Sequence, residues 1–140
     1  MPTRKASAVW NGDLKGGNGT FKSETGLGGS YNFTRFADQS GGTNPEELLA
    51  AAEAACFSMA LSGALGKNGT PPTKVTTDAA CTIEKVGEGF TITKMALNVT
   101  ATVPKIDAAT FERIAQQTKD GCPVSRALKG VDISVTARLG

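Results

Sequence analysis

Residues 43–66 read TNPEELLAAAEAACFSMALSGALG, and this stretch decides the fold. It opens with helix-start chemistry. Asn44 suits a cap, Pro45 suits the first helical position, and Glu46 and Glu47 favour the positive end of the helix dipole. From Leu48 to Leu61 only Glu53 and Ser58 are polar. A helix with so little polar surface is expected to be buried on nearly every side. Cys56 sits in the middle of it. A thiol there is either a small core residue or a nucleophile in a pocket.

Outward from this helix the chain is built of strands and two further helices. Residues 5–10 and 19–23 suit short strands, and 24–30, ETGLGGS, reads as a Gly-rich loop. No helix follows those glycines, so a phosphate-binding role for them is weak. YNFTRF, 31–36, reads as a strand that puts Tyr31, Phe33 and Arg35 on one face. An arginine there needs a partner if that face is apolar, and reaches water if it only ends the strand.

Past the helix, residues 74–85 alternate cleanly, with Val75, Thr77, Ala79, Cys81 and Ile83 on one face. Gly87-Glu88-Gly89 turns the chain into a strand over 90–103, whose apolar phase slips near Thr93 and predicts a bulge there. Asp107 suits the cap of a helix over 108–119, and Cys122-Pro123 starts a short helix over 123–129. Val131, Ile133, Val135, Ala137 and Leu139 give a last half-buried strand.

The order β-β-β-α-β-β-α-α-β predicts an α+β fold of one domain over residues 1–140, with antiparallel hairpins rather than a doubly wound sheet. One small sheet covers only one side of so apolar a helix. That argues for a second copy of the chain, a homodimer.

Composition narrows the function. The net charge is +2, which makes no case for nucleic acid or an anionic membrane surface. The basic start, MPTRKASAVW, has no apolar stretch behind it and does not read as a secretory signal, and the apolar run 48–61 is too short to span a bilayer. A cytoplasmic protein is the expectation. The chain has three cysteines, at 56, 81 and 122, and no histidine. The odd number argues against structural disulfides, and the missing histidine removes Ser-His-Asp and Cys-His catalysis and HExxH zinc sites. Chemistry must come from Cys, Arg, Lys, Glu, Asp and hydroxyls.

Among the thiols, Cys81 lies on the apolar face of a patterned strand and reads as packing. Cys122 sits at a helix start, where free N–H groups favour a thiolate, and reads equally as a packing cap. For Cys56, pattern alone favours packing, although Ala52, Ala55 and Ala60 leave room for a ligand. Glu47 fits the third helical position, where it completes a capping box with Asn44. That leaves Glu46, ten residues before Cys56 and near its face, as the functional acid. Ten residues span about 15 Å along a helix, so an arginine must bridge the two, or the acid comes from a partner chain. Without histidine, an activated thiolate needs a cation. Arg35 is the best placed, with Glu46 to orient its guanidinium. Such a low-pKa thiol in an apolar pocket attacks weak electrophilic bonds such as the O–O bond of a peroxide. A second thiol then resolves the sulfenic acid, a role that suits Cys122.

TNPEELLAAAEAACFSMAL, the TRF before it, GCPVSRAL near the end, the AVWNGD opening and the GFTITKMAL strand together resemble the OsmC/Ohr family of thiol-dependent hydroperoxide reductases. NFTRF is more similar to the OsmC branch, the osmotically inducible proteins, than to the organic-hydroperoxide-resistance branch. The resemblance runs nearly end to end. It implies Cys56 as the peroxidatic cysteine and Cys122 as the resolving one, joined in an intramolecular disulfide. It also implies that Arg35 stabilises the thiolate and binds peroxide, and that Glu46 holds Arg35. The implied fold is an intertwined homodimer in which antiparallel sheets enclose the long buried central helices, with active sites at the subunit interface. No metal or bound organic cofactor is implied. The partners are an organic hydroperoxide and an external dithiol, with dihydrolipoyl groups implied for at least the Ohr branch. Cys81 has no place in that pattern.

The leading expectation is therefore a cysteine-based peroxidase that reduces organic hydroperoxides, and hydrogen peroxide as a further substrate, to alcohol and water. A hotdog-type acyl-binding or thioesterase dimer is the alternative, with Cys56 only packing. A redox sensor using the same disulfide ranks last, because nothing resembles a DNA-binding motif.

Overall fold

The computed structural model describes residues 1–33 and 42–140. The elements are β1 (Ala6–Asn11), β2 (Asn18–Ser23), β3 (Gly28–Tyr31), α1 (Pro45–Lys67), β4 (Lys74–Val86), β5 (Gly89–Thr102), α2 (Ala108–Gly121), α3 (Pro123–Ala127) and β6 (Asp132–Leu139). The α+β order matches the pattern in the sequence. The chain divides into two compact units, Met1–Leu48 and Leu49–Gly140, and the division falls inside α1.

In the first unit β1, β2 and β3 form an antiparallel meander. Residues 24–30 are not all loop, because Gly28-Gly29-Ser30-Tyr31 pairs with Gly19–Lys22 of β2. Gly19 is required where it stands. A Cβ there would lie 2.5 Å from a Tyr31 ring carbon and 2.7 Å from the Val9 carbonyl oxygen. The strand expected over 31–36 keeps only Tyr31, with Asn32 and Phe33 beyond the strand end and 34–36 outside the described residues. Tyr31 packs against Trp10 at a ring-centroid distance of 5.4 Å and edge-on to Phe21 at 6.4 Å.

The helix start differs in detail from a capping box. The Glu47 backbone N–H donates to Asn44 Oδ1 at 2.9 Å, as expected of the cap. The Glu47 carboxylate instead accepts from the Thr43 hydroxyl at 2.7 Å. Glu47 is thus a structural residue, tied one position earlier than predicted.

The second unit is a three-stranded sheet, β4-β5-β6, covered on one face by helices. Phe57, Leu61 and Leu65 of α1 pack with Met95, Leu97, Val99 and Ala101 of β5 and with Phe111, Ile114 and Ala115 of α2. Cys81 is partly buried against this core, among the inward residues of β4. The register between β4 and β5 shifts at Thr82/Ile83 and skips Thr93, where the slip in phase predicts a bulge. Asp107 caps α2 by accepting from the Thr110 backbone N–H at 2.9 Å and from its hydroxyl at 2.7 Å. These Thr110 bonds hold the Asp107 carboxyl below its ordinary value. On α2, the Gln116 side-chain amide donates to the Val135 carbonyl at 2.7 Å and fixes the helix to β6.

Two expectations need correction. The sheet is mixed, because β6 runs parallel to β5. The α2-α3 crossover returns the chain to the same end of the sheet, and strands joined in that way run parallel. The second concerns the extent of α1, whose incomplete burial within one chain is what one small sheet is expected to leave. Ala51, Ala52 and Ala55 are exposed, and Met59 is 75% exposed. One sheet covers one helix face, so the opposite apolar face stays open. α1 is also longer than the apolar run 48–61, and by length and composition it suffices to cross a membrane.

Candidate active site

The site lies where the middle of α1 meets the start of α3. Glu53, Phe57, Leu61 and Leu65 follow one another at a spacing of four and are completely buried. Cys56 lies one turn past Glu53 and at the edge of that buried stripe, where it is half-buried.

Cys122 is brought to it by the break between α2 and α3. Its backbone N–H closes α2 by donating to the Thr118 carbonyl at 2.9 Å. Pro123 follows, and a residue before proline is driven to extended backbone, in this case φ −69° and ψ 122°. The Cys122 side chain makes no capping bond to α3. α3 is also shorter than 123–129 and ends at Ala127. The thiol points at α1 instead, fully buried, with Sγ 3.1 Å from Cys56 Sγ. A disulfide bond is about 2.05 Å long, so these are free thiols in contact, about 1 Å from bonding distance.

A carboxylate completes the cluster. Glu53 Oε1 accepts a hydrogen bond from the Ser125 hydroxyl on α3, and Cys122 Sγ lies 3.9 Å from the same oxygen. Glu53 is 0% exposed, and its Oε2 has no hydrogen-bond partner among the described residues. Sequence reasoning misses both Glu53 and Ser125. Glu53 carries a readable signal as a charge three residues before a cysteine on an apolar helix, which puts both on one face.

Among the described residues these neighbours raise the Cys56 pKa above its ordinary value, and the lowering expected from the Arg35 cation lies outside them. Burial is the largest cause, followed by the hydrogen bond with Cys122, and the charges of Cys122 and Glu53 add to it. The Val124 backbone N–H, in the first turn of α3, bonds Cys56 and pulls the other way. The N-terminal donor of α3 therefore serves Cys56 and not Cys122.

Of the other expected residues, Glu46 is 7% exposed and belongs to the first unit. Arg35 lies outside the described residues. The first unit has its own cavity of about 230 Å³, lined by Trp10, Leu14, Tyr31, Asn32, Phe33 and Pro45. Among the described residues no group of three or more His, Cys, Asp or Glu is arranged to hold a metal ion.

Known proteins give the arrangement a context. Residues 37–136 match the sequence profile described as OsmC-like protein. Peroxiredoxin OsmC of Escherichia coli is 52% identical over 129 residues, covering 90% of each chain. An organic hydroperoxide resistance protein of Xanthomonas axonopodis pv. citri is 32% identical over 97 residues, covering 68% of this chain and 66% of that one. The crystal structure of an organic hydroperoxide resistance protein from Elizabethkingia anophelis superposes with a TM-score of 0.81 at 24% identity, over 100% of this chain and 98% of that one, a likeness of fold.

The electrostatics of the thiol are open to direct measurement. Alkylation of Cys56 as a function of pH, read as the adduct mass at that residue, will have its midpoint at lower pH in Cys122→Ala and in Glu53→Gln than in the wild type. The shift will be larger in Cys122→Ala. An unchanged or raised midpoint in both variants contradicts the control of Cys56 by these two neighbours.

Proposed function

We propose a residue-level mechanism for this chain, which belongs to the OsmC-like protein family. The chain is a peroxidase, a hydroperoxide reductase. The acyl-binding alternative is not favoured: it leaves Cys56 as packing, yet Cys56 meets a second thiol at 3.1 Å, and the relatives are named for peroxiredoxin and for organic hydroperoxide resistance.

The S···S contact carries the assignment of roles. Cys122 is fully buried and Cys56 is half-buried, so a peroxide reaches Cys56 first. The Cys56 thiolate attacks the distal oxygen of the hydroperoxide. The O–O bond breaks, the alkoxide takes a proton and leaves as alcohol, and Cys56 becomes a sulfenic acid. Cys122 then condenses with it to form the disulfide, and water leaves. An external dithiol exchanges with that disulfide and restores both thiols.

The raised Cys56 pKa defines what else the first step needs. Val124 gives one N–H, and a cation must supply the rest. Arg35 is the residue proposed for that role, with Glu46 to orient its guanidinium, on the chemistry of the two groups and the family resemblance. Peroxide reduction by a thiol calls for no metal or bound organic cofactor. We assign organic hydroperoxides as the substrate class, a dihydrolipoyl-type dithiol as the reductant, and the cytoplasm, where thiols are kept reduced, as the compartment.

A homodimer and a single functional domain over residues 1–140 belong to the same reading. The open face of α1, with Ala51, Ala52, Ala55 and Met59, is an apolar stripe of a kind that monomers rarely leave in water. A second copy of this chain, offering the same stripe across a two-fold axis, covers it without new chemistry. The division into two units falls inside α1, and the OsmC-like match spans it, which supports treating them as one domain.

Cys56→Ser will lose peroxide turnover with a dithiol by more than about a hundredfold, because no other group replaces the nucleophile. Full turnover in that variant contradicts the mechanism. Sedimentation will give the mass of a dimer for the wild type, and Met59→Lys will shift it towards the monomer. A monomeric wild type removes the dimer from the account.

A further inference from the structure

We propose that Glu53 is the proton acceptor for Cys122 in the step that closes the disulfide, with Ser125 as the residue that positions it. The inference rests on the peroxidase reading above and deepens its second step.

Glu53 is an unexpected residue where it stands. It is completely buried in an apolar helix, with Oε2 lacking a hydrogen-bond partner among the described residues. Burying a carboxylate with unmet bonding capacity is costly, and an apolar side chain of similar size would pack there at less cost. Its charge also opposes ionisation of Cys56. Glu53 therefore works against the first step of the reaction, and its use lies in another.

The second step has a need that this geometry meets. Cys122 must lose its proton as its sulfur attacks Cys56. Its thiol is fully buried, so bulk water is not at hand. The structure places two acceptors about it: Cys56 Sγ at 3.1 Å and Glu53 Oε1 at 3.9 Å. Once Cys56 is a sulfenic acid, its sulfur is the electrophile and no longer takes that proton. Glu53 Oε1 remains. The Ser125 hydroxyl donates to this same oxygen and fixes it on the Cys122 side.

The step balances. The Cys122 thiol proton passes to the Glu53 carboxylate as the S–S bond forms and the S–O bond of the sulfenic acid breaks. The proton then joins the departing hydroxide as water, and Glu53 returns to the carboxylate. The Cys122 sulfur is oxidised and the Cys56 sulfur is reduced, with no further reagent. General base assistance of this kind is worth about a hundredfold to ten-thousandfold in rate.

The test is single-turnover kinetics on the reduced full-length chain with one equivalent of cumene hydroperoxide. Sulfenic acid is trapped with dimedone at each time and disulfide is counted by mass. In the wild type the disulfide follows without a trapped adduct. In Glu53→Gln the sulfenic acid will form at least as fast as in the wild type. Closure will slow at least about tenfold, and the dimedone adduct at Cys56 will accumulate. Glu53→Asp will recover part of the closure rate, and Ser125→Ala will slow closure by less than Glu53→Gln does. Closure at the wild-type rate in Glu53→Gln, or equal slowing of both steps, overturns the proposal. If Glu53→Gln fails to fold, Ser125→Ala decides: a closure rate equal to wild type overturns the proposal, and selective slowing supports it. A wild type that yields neither sulfenic acid nor disulfide would instead sink the peroxidase mechanism itself.

Discussion

The rotational setting of α1 about its own axis governs the rest of the site. Phe57, Leu61 and Leu65 are locked into the core formed with β5 and α2. Interiors pack close to crystal density, so such a stripe leaves little freedom to turn. With that stripe inward, the helical period places Glu53 in the same buried row, Cys56 at its edge and Met59 outward. A rotation of one residue would bury Cys56 away from any peroxide or move Glu53 into solvent. The core and the reactive thiol are set by the same packing.

The break at Gly121-Cys122-Pro123 is the second half of the arrangement. Proline forces Cys122 out of helical backbone, and that turn aims the thiol at α1 while starting α3. α3 then supplies two further groups, the Val124 N–H to Cys56 and the Ser125 hydroxyl to Glu53. One short helix thus touches both members of the α1 pair. The electrostatic balance is in tension: burial, Cys122 and Glu53 raise the Cys56 pKa, and among the described residues the Val124 backbone donor opposes them. That tension is the physical reason for assigning a cation to the first step and a proton acceptor to the second.

Much of this is legible in the sequence because it is written in local pattern. The alternation of β4 and β6, the Asp107 cap and the bulge at Thr93 all follow from periods of two or from capping chemistry. β3 escapes because Gly28 and Gly29 carry no side-chain pattern, and it exists through pairing with β2. The parallel pairing of β6 escapes because alternation reports faces and not direction. An open face on α1 is legible, because one small sheet covers only one side of an apolar helix, whereas which residues lie on that face depends on the packing of Phe57, Leu61 and Leu65. Within the site, Cys56 and Cys122 are legible as thiols of interest, but their 3.1 Å contact is a tertiary fact that no spacing of 66 residues encodes. Glu53 looks like one polar exception among alanines, and its meaning depends on Ser125, 72 residues away.

The central claim is that Cys56 and Cys122 of one chain act as a single redox unit. Peptide mapping by mass spectrometry, after one equivalent of cumene hydroperoxide is added to the reduced protein, tests it most directly. The expected result is the loss of two hydrogens per chain, located in a Cys56–Cys122 link within one chain, with Cys81 still free. A link through Cys81, a link between chains, or an unchanged mass would contradict it.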